Sequence, residues 1–214
     1  SNLNQRYITI LNINGKHSHR LAPLIDKLAL PTLVITDLDS AELTGYHEKA
    51  EPVRNKGLIS GNYAITNWII KKNLLDDLLD LSDDEKVVTK KSVCDYQIRV
   101  AYQIPIKVTH LGVEVEALAR TFEDSLIYTN WDVLSSLKAT DPGQLLKKLK
   151  DGFEAKKSFD SLKTTIFNEL KKSEVKAEFA LDLIFSIAPE EIAVPQYIDK
   201  GLTWLESVLC MEVN

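Results

Sequence analysis

The sequence predicts an α/β fold, and three observations near its beginning support this. Leu33–Ile35 is a continuous apolar run, which is typical of a strand buried on both faces. An earlier segment, Tyr7–Asn12, is rich in β-branched and aromatic residues and is predicted to be a strand. Between them, apolar residues share one face at helical spacing: Leu21, Leu24, Ile25 and Leu28. This order of elements indicates a βαβ unit with parallel strands.

The later segments continue the alternation of strands and helices. Helices are predicted over Tyr63–Leu81 and Val113–Tyr128, and strands over Val87–Val88 and Ile98–Val108, the second broken by Pro105. The remaining segments are predicted to be helices, most of them amphipathic and lysine-rich: Leu145–Leu149, Phe159–Leu170, Val175–Ile187 and Gln196–Met211. We therefore expect three regions: an α/β core over 1–140, a lysine-rich helical region over 141–190, and a C-terminal helix over 191–214 that packs on the core.

Two aspartates, Asp37 and Asp39, follow the predicted strand Leu33–Ile35. Ligands bind at the carboxyl ends of strands in parallel α/β sheets. Residues two apart in an extended segment point the same way, so both carboxylates can face one point. Two hard oxygen ligands of this kind suit Mg²⁺, although Asp-x-Asp pairs also occur simply as turn formers.

The charge of the chain is unevenly distributed. The net charge is −5, which argues against a protein that coats nucleic acid. Residues 145–176 nevertheless hold nine lysines against five acidic residues. These lysines, among them Lys147, Lys148, Lys171 and Lys172, are candidates for a face that contacts phosphates. The alternative is that they form the solvated side of amphipathic helices.

The sequence also bears on the cellular compartment. No apolar run approaches the roughly 20 residues that a membrane-spanning helix needs, and no secretory signal is visible. Cys94 and Cys210 fit no zinc-binding spacing and are expected to be reduced, partly buried thiols. We therefore expect a cytoplasmic protein without a membrane partner.

Several segments, taken in order and spacing, resemble the C-terminal region of the OLD family (overcoming lysogenisation defect). The family consists of predicted ATP-dependent endonucleases with an N-terminal ABC-type ATPase domain and a C-terminal Toprim domain. The matching segments are Asn12–Arg20, Thr36–Asp39, Ala119–Leu126, Lys176–Leu183 and Pro195–Leu205. The resemblance implies a Toprim-like, largely parallel sheet with helices on both faces and a helical insertion.

The resemblance also implies roles for particular residues. Asp37 and Asp39 match the Asp-x-Asp pair that holds divalent metal in the Toprim fold. Glu123 would supply a further acidic ligand, with Asp124 as the alternative, and Lys176 would offer a cation to the phosphate. The implied chemistry is two-metal phosphodiester hydrolysis of DNA with Mg²⁺ or Mn²⁺.

The resemblance also bears on phosphate contacts and on partners. Arg120 is a candidate phosphate clamp, because a guanidinium group pairs with phosphate in a bidentate way. The implied partners are DNA and the ABC-type ATPase domain of the same full-length protein, and a homodimer is a further candidate assembly. The chain contains no Walker A motif, so the ATPase is expected outside it.

One departure from the family leaves alternatives open. A Toprim domain opens with a glutamate motif, typically Glu-Gly-x-x-Glu, which this chain lacks. We therefore expect a fragment of a longer protein that misses one metal-ligand element. The second hypothesis is a non-catalytic module that contacts DNA or mediates assembly. The third is a receiver-like or phosphatase-like domain in which Asp37 accepts a phosphoryl group.

Overall fold

The structure is a computed structural model that describes residues 2–13, 15–44, 47–137 and 142–211. The chain divides into two compact units, each described here by itself. Unit 1 comprises Ser1–Ile104 and Gln196–Asn214, and unit 2 comprises Pro105–Pro195. The boundary predicted at residue 140 lies outside the described residues, and the division into three regions stays a prediction.

Unit 1 contains five short strands and three α-helices among its described residues. Its strands are β1 (Thr32–Ile35), β2 (Ser40–Ala41), β3 (Ile59–Ser60), β4 (Val87–Lys91) and β5 (Asp95–Ala101). Its α-helices are α1 (Ala22–Leu28), α2 (Leu75–Leu79) and α8 (Gln196–Met211), and a π-helix covers Ala64–Ile69. Short 3₁₀ helices cover Asn2–Gln5, Gly15–Leu21 and Asp84–Lys86.

The main sheet of unit 1 has three strands in the order β1-β5-β4. β1 pairs with β5 in parallel, with Val34 opposite Val100, whereas β4 pairs with β5 in antiparallel fashion. The α/β class is confirmed, but a largely parallel sheet is not, because one of the two pairings in this sheet is antiparallel.

The C-terminal helix α8 packs against β1 and β5. Gly201 makes this close approach possible. A Cβ atom at that position would lie 3.0 Å from Leu33 Cδ1 and 3.2 Å from Ala101 Cβ. The helix thus covers the sheet next to the end of β1, where Asp37 lies.

Two sequence predictions in unit 1 are wrong. Tyr7–Asn12 lies in no described strand; Tyr7 is 97% exposed and Ile10 is 89% exposed, so this segment buries little apolar surface. The single helix predicted over Tyr63–Leu81 is instead the π-helix and α2, separated by a polar turn. Lys71 has a φ of 62°, a left-handed conformation that interrupts the helical path.

Unit 2 consists of a hairpin followed by helices. The hairpin is formed by β6 (Ile106–His110) and β7 (Val113–Ala117). The helices are α3 (Phe122–Thr129), α4 (Trp131–Ser136), α5 (Gln144–Glu154), α6 (Phe159–Glu169) and α7 (Ser173–Ser186), followed by a 3₁₀ helix, Pro189–Glu191. The core between them contains Ile127, Leu149, Leu162, Ile166 and Phe179, each at most 1% exposed.

The prediction of one helix over Val113–Tyr128 is wrong in its first part. Residues 113–117 form β7, and the helix begins at Phe122. Leu111 and Gly112 both have positive φ, 49° and 78°, which is the backbone of a tight hairpin turn.

No helix among the described residues is long and apolar enough to cross a membrane. Cys94 and Cys210 are both free thiols, and both are exposed rather than partly buried.

Candidate functional site

Asp37 and Asp39 lie in the segment that follows β1, at its carboxyl end. The Thr36 N–H continues the parallel pairing by donating to the Ala101 carbonyl at 3.0 Å. Leu38 is fully buried between the two aspartates, while Asp37 is half-buried and Asp39 is 8% exposed. The strand end predicted from the sequence is therefore where the pair is found.

The backbone of the pair is not simply extended. Asp39 has a φ of 52°, in the left-handed region that aspartate tolerates better than most residues. Residues two apart point the same way only in an extended chain, so the two carboxylates are not aligned in this way at Asp39. The role of both residues as metal ligands stays a prediction.

Gln103 is a buried residue that contacts the side chain of Asp37. It is 0% exposed, and its Nε2 donates to Asp37 Oδ1 at 3.0 Å. Its Oε1 accepts the Leu38 N–H at 2.6 Å. One amide side chain thus fixes both the carboxyl group of Asp37 and the backbone that follows it. Because Nε2 can only donate, this bond favours Asp37 as the carboxylate.

Asn62, which is also 0% exposed, holds the same segment from the region that follows β3. Its Nδ2 donates to the Asp37 carbonyl and to Thr36 Oγ1, at 2.7 Å each. Ser60 Oγ donates to the Leu38 carbonyl at 2.7 Å, and the Gly61 N–H donates to the Asp39 carbonyl at 2.9 Å. The conformation of the Asp-x-Asp segment is therefore imposed by buried hydrogen bonds from two distant parts of unit 1.

The side chains at the end of β1 offer the kind of ligand atoms that a hard divalent cation binds. Mg²⁺ and Mn²⁺ prefer carboxylate oxygens, and Asp37 and Asp39 provide two carboxyl groups on a segment that is held in place. No group of three or more His, Cys, Asp or Glu side chains that could hold a metal ion is found in the described parts of the chain. Two carboxylates alone leave most coordination positions to water or to substrate oxygens.

In unit 2, Glu123 and Lys176 form an ion pair, although they are 53 residues apart in sequence. Lys176 Nζ lies 2.7 Å from Glu123 Oε2, and the two side chains are 28% and 23% exposed. Thr121 Oγ1 donates to the same oxygen at 2.8 Å. Burial acts to raise the pKa of Glu123, but the hydrogen bond and charge of Lys176 outweigh it and hold the pKa below its ordinary value.

Asp124, the alternative acidic candidate, has a structural position at the start of α3. Its carboxyl oxygens accept the backbone N–H groups of Arg120 and Thr121, both at 2.7 Å. Burial raises the pKa of Asp124 to about 6, while these hydrogen bonds act in the opposite direction. Arg120 itself is only 7% exposed and lines a small cavity with Lys171.

The four candidate lysines for DNA binding differ in their surroundings. Lys148 and Lys172 both contact Glu169, at 2.6 Å and 3.4 Å, so one carboxylate partly neutralises two of the predicted cations. Lys171 Nζ lies 4.2 Å from the centre of the Phe167 ring. Lys147 is exposed on α5. The lysine-rich surface is therefore less positive than its composition suggests.

The structure brings the predicted residues together in two groups. Asp37 and Asp39 lie in unit 1, whereas Glu123, Lys176, Arg120 and the four lysines lie in unit 2. Sequence reasoning missed Gln103 and Asn62. Both are uncharged polar residues, and in the sequence they look like ordinary surface side chains. What distinguishes them is burial, which only the structure shows.

Comparison with known proteins finds a matching family model and a similar protein. Residues 1–39 match the family described as "Overcoming lysogenization defect protein-like, TOPRIM domain". The chain is 29% identical over 214 residues to Endonuclease GajA from Bacillus cereus (strain HuB5-5). The alignment covers 97% of this chain and 28% of the relative, so the chain spans little more than a quarter of that protein's length. No solved structure matches the chain. The predicted resemblance to the OLD family is confirmed.

Proposed function

We propose that this chain, which resembles the C-terminal Toprim region of OLD-family nucleases, is the metal-dependent DNA endonuclease part of a larger protein. The observation that carries the proposal is the arrangement at the end of β1. There, Gln103 and Asn62 hold the Asp37 segment, in a chain that is 29% identical to an endonuclease. Buried amides that fix a carboxylate at a strand end are typical of a prepared ligand site.

In this proposal Asp37 and Asp39 are the ligands for Mg²⁺ or Mn²⁺. One or two such ions, when bound, lower the pKa of a coordinated water and stabilise charge on the phosphate that is cleaved. Gln103 orients the Asp37 carboxylate through a hydrogen bond to Oδ1, so Asp37 would need little rearrangement to hold the cation. Asp39 adds a second carboxylate from the same segment.

The residues of unit 2 are proposed to act on the phosphate. Glu123 would supply a further carboxylate, and Lys176, now 2.7 Å from it, would share its positive charge with a non-bridging phosphate oxygen. Arg120 and the candidate lysines Lys147, Lys148, Lys171 and Lys172 would contact the DNA backbone. Because backbone contacts carry no base information, we expect weak sequence specificity.

The proposed partners are DNA and an ABC-type ATPase domain on the same polypeptide. The relative is much longer than the aligned region, which leaves room for another domain in that protein. A homodimer and a cytoplasmic location are part of the same proposal.

The test is nicking of supercoiled plasmid at low salt with Mg²⁺ or Mn²⁺. It compares this chain with a form extended upstream through the expected glutamate motif, and with Asp37→Asn in that extended form. We expect the extended form to cut and Asp37→Asn to lose most activity, while Asp95→Asn, an exposed aspartate at the start of β5, cuts normally. Equal cutting by Asp37→Asn would overturn the metal-site assignment.

A second candidate function is a non-catalytic module that contacts DNA or mediates assembly. It is favoured by the lack of a group of three metal-ligating side chains among the described residues. This candidate predicts that DNA binding persists in Asp37→Asn and that the extended form never cuts with any divalent metal.

A further inference from the structure

A small cavity in unit 1, away from the two aspartates, is lined by three cations and one acidic residue. The cations are Lys86, Arg99 and Lys200, and the acidic residue is Asp83. Tyr102 and Tyr197 complete the polar part of the lining, and the cavity is partly open to solvent. None of these residues takes part in the proposed metal chemistry.

Asp83 binds two of the three cations. Arg99 Nη2 donates to Asp83 Oδ1 at 2.9 Å, and Lys200 Nζ donates to Oδ2 at 2.9 Å. Partial burial acts to raise the pKa of Asp83, but the hydrogen bond from Lys200 and the surrounding positive charges hold it below its ordinary value. One negative charge therefore faces three positive charges.

Lys86 has no acidic partner of its own. It is 5% exposed, and its Nζ forms no hydrogen bond or ion pair with any described residue. It lies 5.1 Å from the centre of the Tyr102 ring, a cation–π contact. Burial and the neighbouring cations lower the pKa of Lys86, while Asp83 acts to raise it. A mostly buried ammonium group that shares its acidic neighbour Asp83 with two other cations is costly, because such groups are normally paired.

Arg99 provides a second, independent observation at this cavity. The residue is 5% exposed, and its Nε is buried with no hydrogen-bond partner among the described residues. An unsatisfied buried donor calls for an explanation, one of which is an ion that binds there. A nearby acidic residue does not fill this role, because Glu85 does not line the cavity and its carboxylate accepts from Ser82.

We propose that this cavity binds a phosphate monoester dianion, either inorganic phosphate or the terminal phosphate of a nucleic-acid strand. The excess of two positive charges matches a group that carries about −1.5 to −2 at neutral pH. Arg99 and two lysines are suited to its oxygens.

The cavity is connected to the candidate metal site within unit 1. Tyr197, which lines the cavity, accepts a hydrogen bond from Gln103 Nε2 at 3.2 Å, and the same Nε2 donates to Asp37 Oδ1. An anion in the cavity can therefore change the balance between the two hydrogen bonds that Gln103 Nε2 donates, one to Tyr197 and one to Asp37. The inference goes beyond the proposed nuclease function and is tested without metal or cleavage.

The experiment is calorimetric titration of the 214-residue chain with inorganic phosphate, without divalent metal and with ionic strength held constant by chloride. We expect one site, and we expect Lys86→Met to weaken binding by about tenfold or more, since hydrogen bonds to charged groups contribute that much. Lys91→Met, which removes one positive charge from an exposed position on β4, is the matched control and should bind phosphate as the native chain does.

Thermal unfolding separates a ligand site from a purely structural cluster. Without phosphate, Lys86→Met should melt at a higher temperature than the native chain, because it no longer buries an unpaired charge. With phosphate, the native chain should gain melting temperature and Lys86→Met should not. No phosphate binding, or equal binding by Lys86→Met, would overturn the proposal. If a short DNA single strand with a 5′-phosphate competes for the site and the same strand without it does not, the strand end is the source of the phosphate. If neither strand competes, the ligand is free phosphate.

Discussion

Gln103 and Asp37 are joined by a hydrogen bond of 3.0 Å between Nε2 and Oδ1, although they are 66 residues apart in sequence. Gln103 follows β5 and Asp37 follows β1, and these two strands are parallel neighbours. The parallel pairing brings both strand ends to the same edge of the sheet. The candidate ligand is therefore oriented by a residue that only the topology could bring to it.

The first prediction concerns Gln103→Leu, which keeps the approximate size of the side chain but removes its amide. It leaves the buried Leu38 N–H without its partner, which should lower the free energy of unfolding by about 1–3 kcal/mol. It also frees the Asp37 carboxylate from its orienting group. Loss of such a partner typically weakens metal binding by about 10- to 100-fold. Urea unfolding and calorimetric titration with Mn²⁺ measure the two effects.

Gln97→Leu is the matched control, because Gln97 lies on β5 and is partly exposed. It should change the free energy of unfolding by less than about 0.5 kcal/mol, as substitutions outside the core usually do. If Gln103→Leu binds Mn²⁺ as tightly as Gln97→Leu does, Gln103 does not position a metal ligand.

The second prediction concerns the ion pair between Glu123 and Lys176. Replacing Lys176 with Met removes the hydrogen bond and charge that hold the pKa of Glu123 down, while the burial that raises it remains. The pKa of Glu123 should therefore rise in Lys176→Met, and NMR titration of the glutamate carboxyl carbons measures it directly. Lys163→Met, on α6, is the control. An unchanged Glu123 titration in Lys176→Met would contradict the contact.

The same pair has a consequence for stability that depends on pH. Because the folded-state pKa of Glu123 is lowered, its contribution is present above the unfolded-state pKa of 4.5 and is lost as pH falls through the folded value. Lys176→Met should thus cost roughly 1–3 kcal/mol at pH 7, between an exposed and a buried pair, and less in acid.

The third prediction concerns Asp124, whose pKa shifts in the opposite direction. Burial raises it from 3.8 to about 6, so the folded chain binds more protons than the unfolded chain between these values. The contribution of this group to stability is full below pH 4 and falls as pH rises to 6, by an amount on the order of 3 kcal/mol.

Asp124→Asn removes the titration of residue 124 and leaves all other titrations in place, because an amide cannot ionise. The difference in free energy of unfolding between the native chain and Asp124→Asn should shift against the native chain as pH rises from 4 to 6. Urea unfolding at several pH values measures this difference. A constant difference across that range would show that Asp124 does not titrate there.

The sequence allowed prediction of those elements whose signals are local. The apolar run before Asp37 is β1, and the amphipathic pattern from Gln196 to Met211 coincides with α8. Val113, Val115 and Ala117 alternate with two glutamates in the period of a strand, whereas the helical spacing predicts a helix over Val113–Tyr128. Here the alternation was a usable signal that the helical interpretation overrode.

The roles of Gln103, Asn62 and Arg99 could not have been read from sequence. Each depends on contacts between residues that are distant along the chain, and their neighbours in sequence carry no motif. Asp37 follows an apolar strand run, and Glu123 lies in a charged segment of the family pattern, so both carry a signal in the sequence itself. The uncharged amides that position one of them, and the buried cations around Asp83, became visible only through burial and hydrogen bonding.

The last prediction concerns the lysines proposed to contact DNA. Glu169 is 7% exposed and binds Lys148 and Lys172, and the hydrogen bond from Lys148 lowers the pKa of Glu169. Glu169→Gln would remove the charge that holds both lysines while keeping the size of the side chain. If the lysines contact phosphates, the variant should bind duplex DNA more tightly, with a steeper dependence on salt by about one to two further counterions.

Fluorescence anisotropy with a labelled duplex between 50 and 200 mM salt gives both the affinity for DNA and its dependence on salt. Over this range, about 6–10 phosphate contacts change affinity by roughly 10³–10⁵. Glu174→Gln is the control, because it changes the net charge by the same unit at an exposed position on α7. A larger effect for Glu169→Gln than for Glu174→Gln would tie the gain to Lys148 and Lys172. Equal effects would mean that only net charge matters and that these lysines form a solvated helix surface.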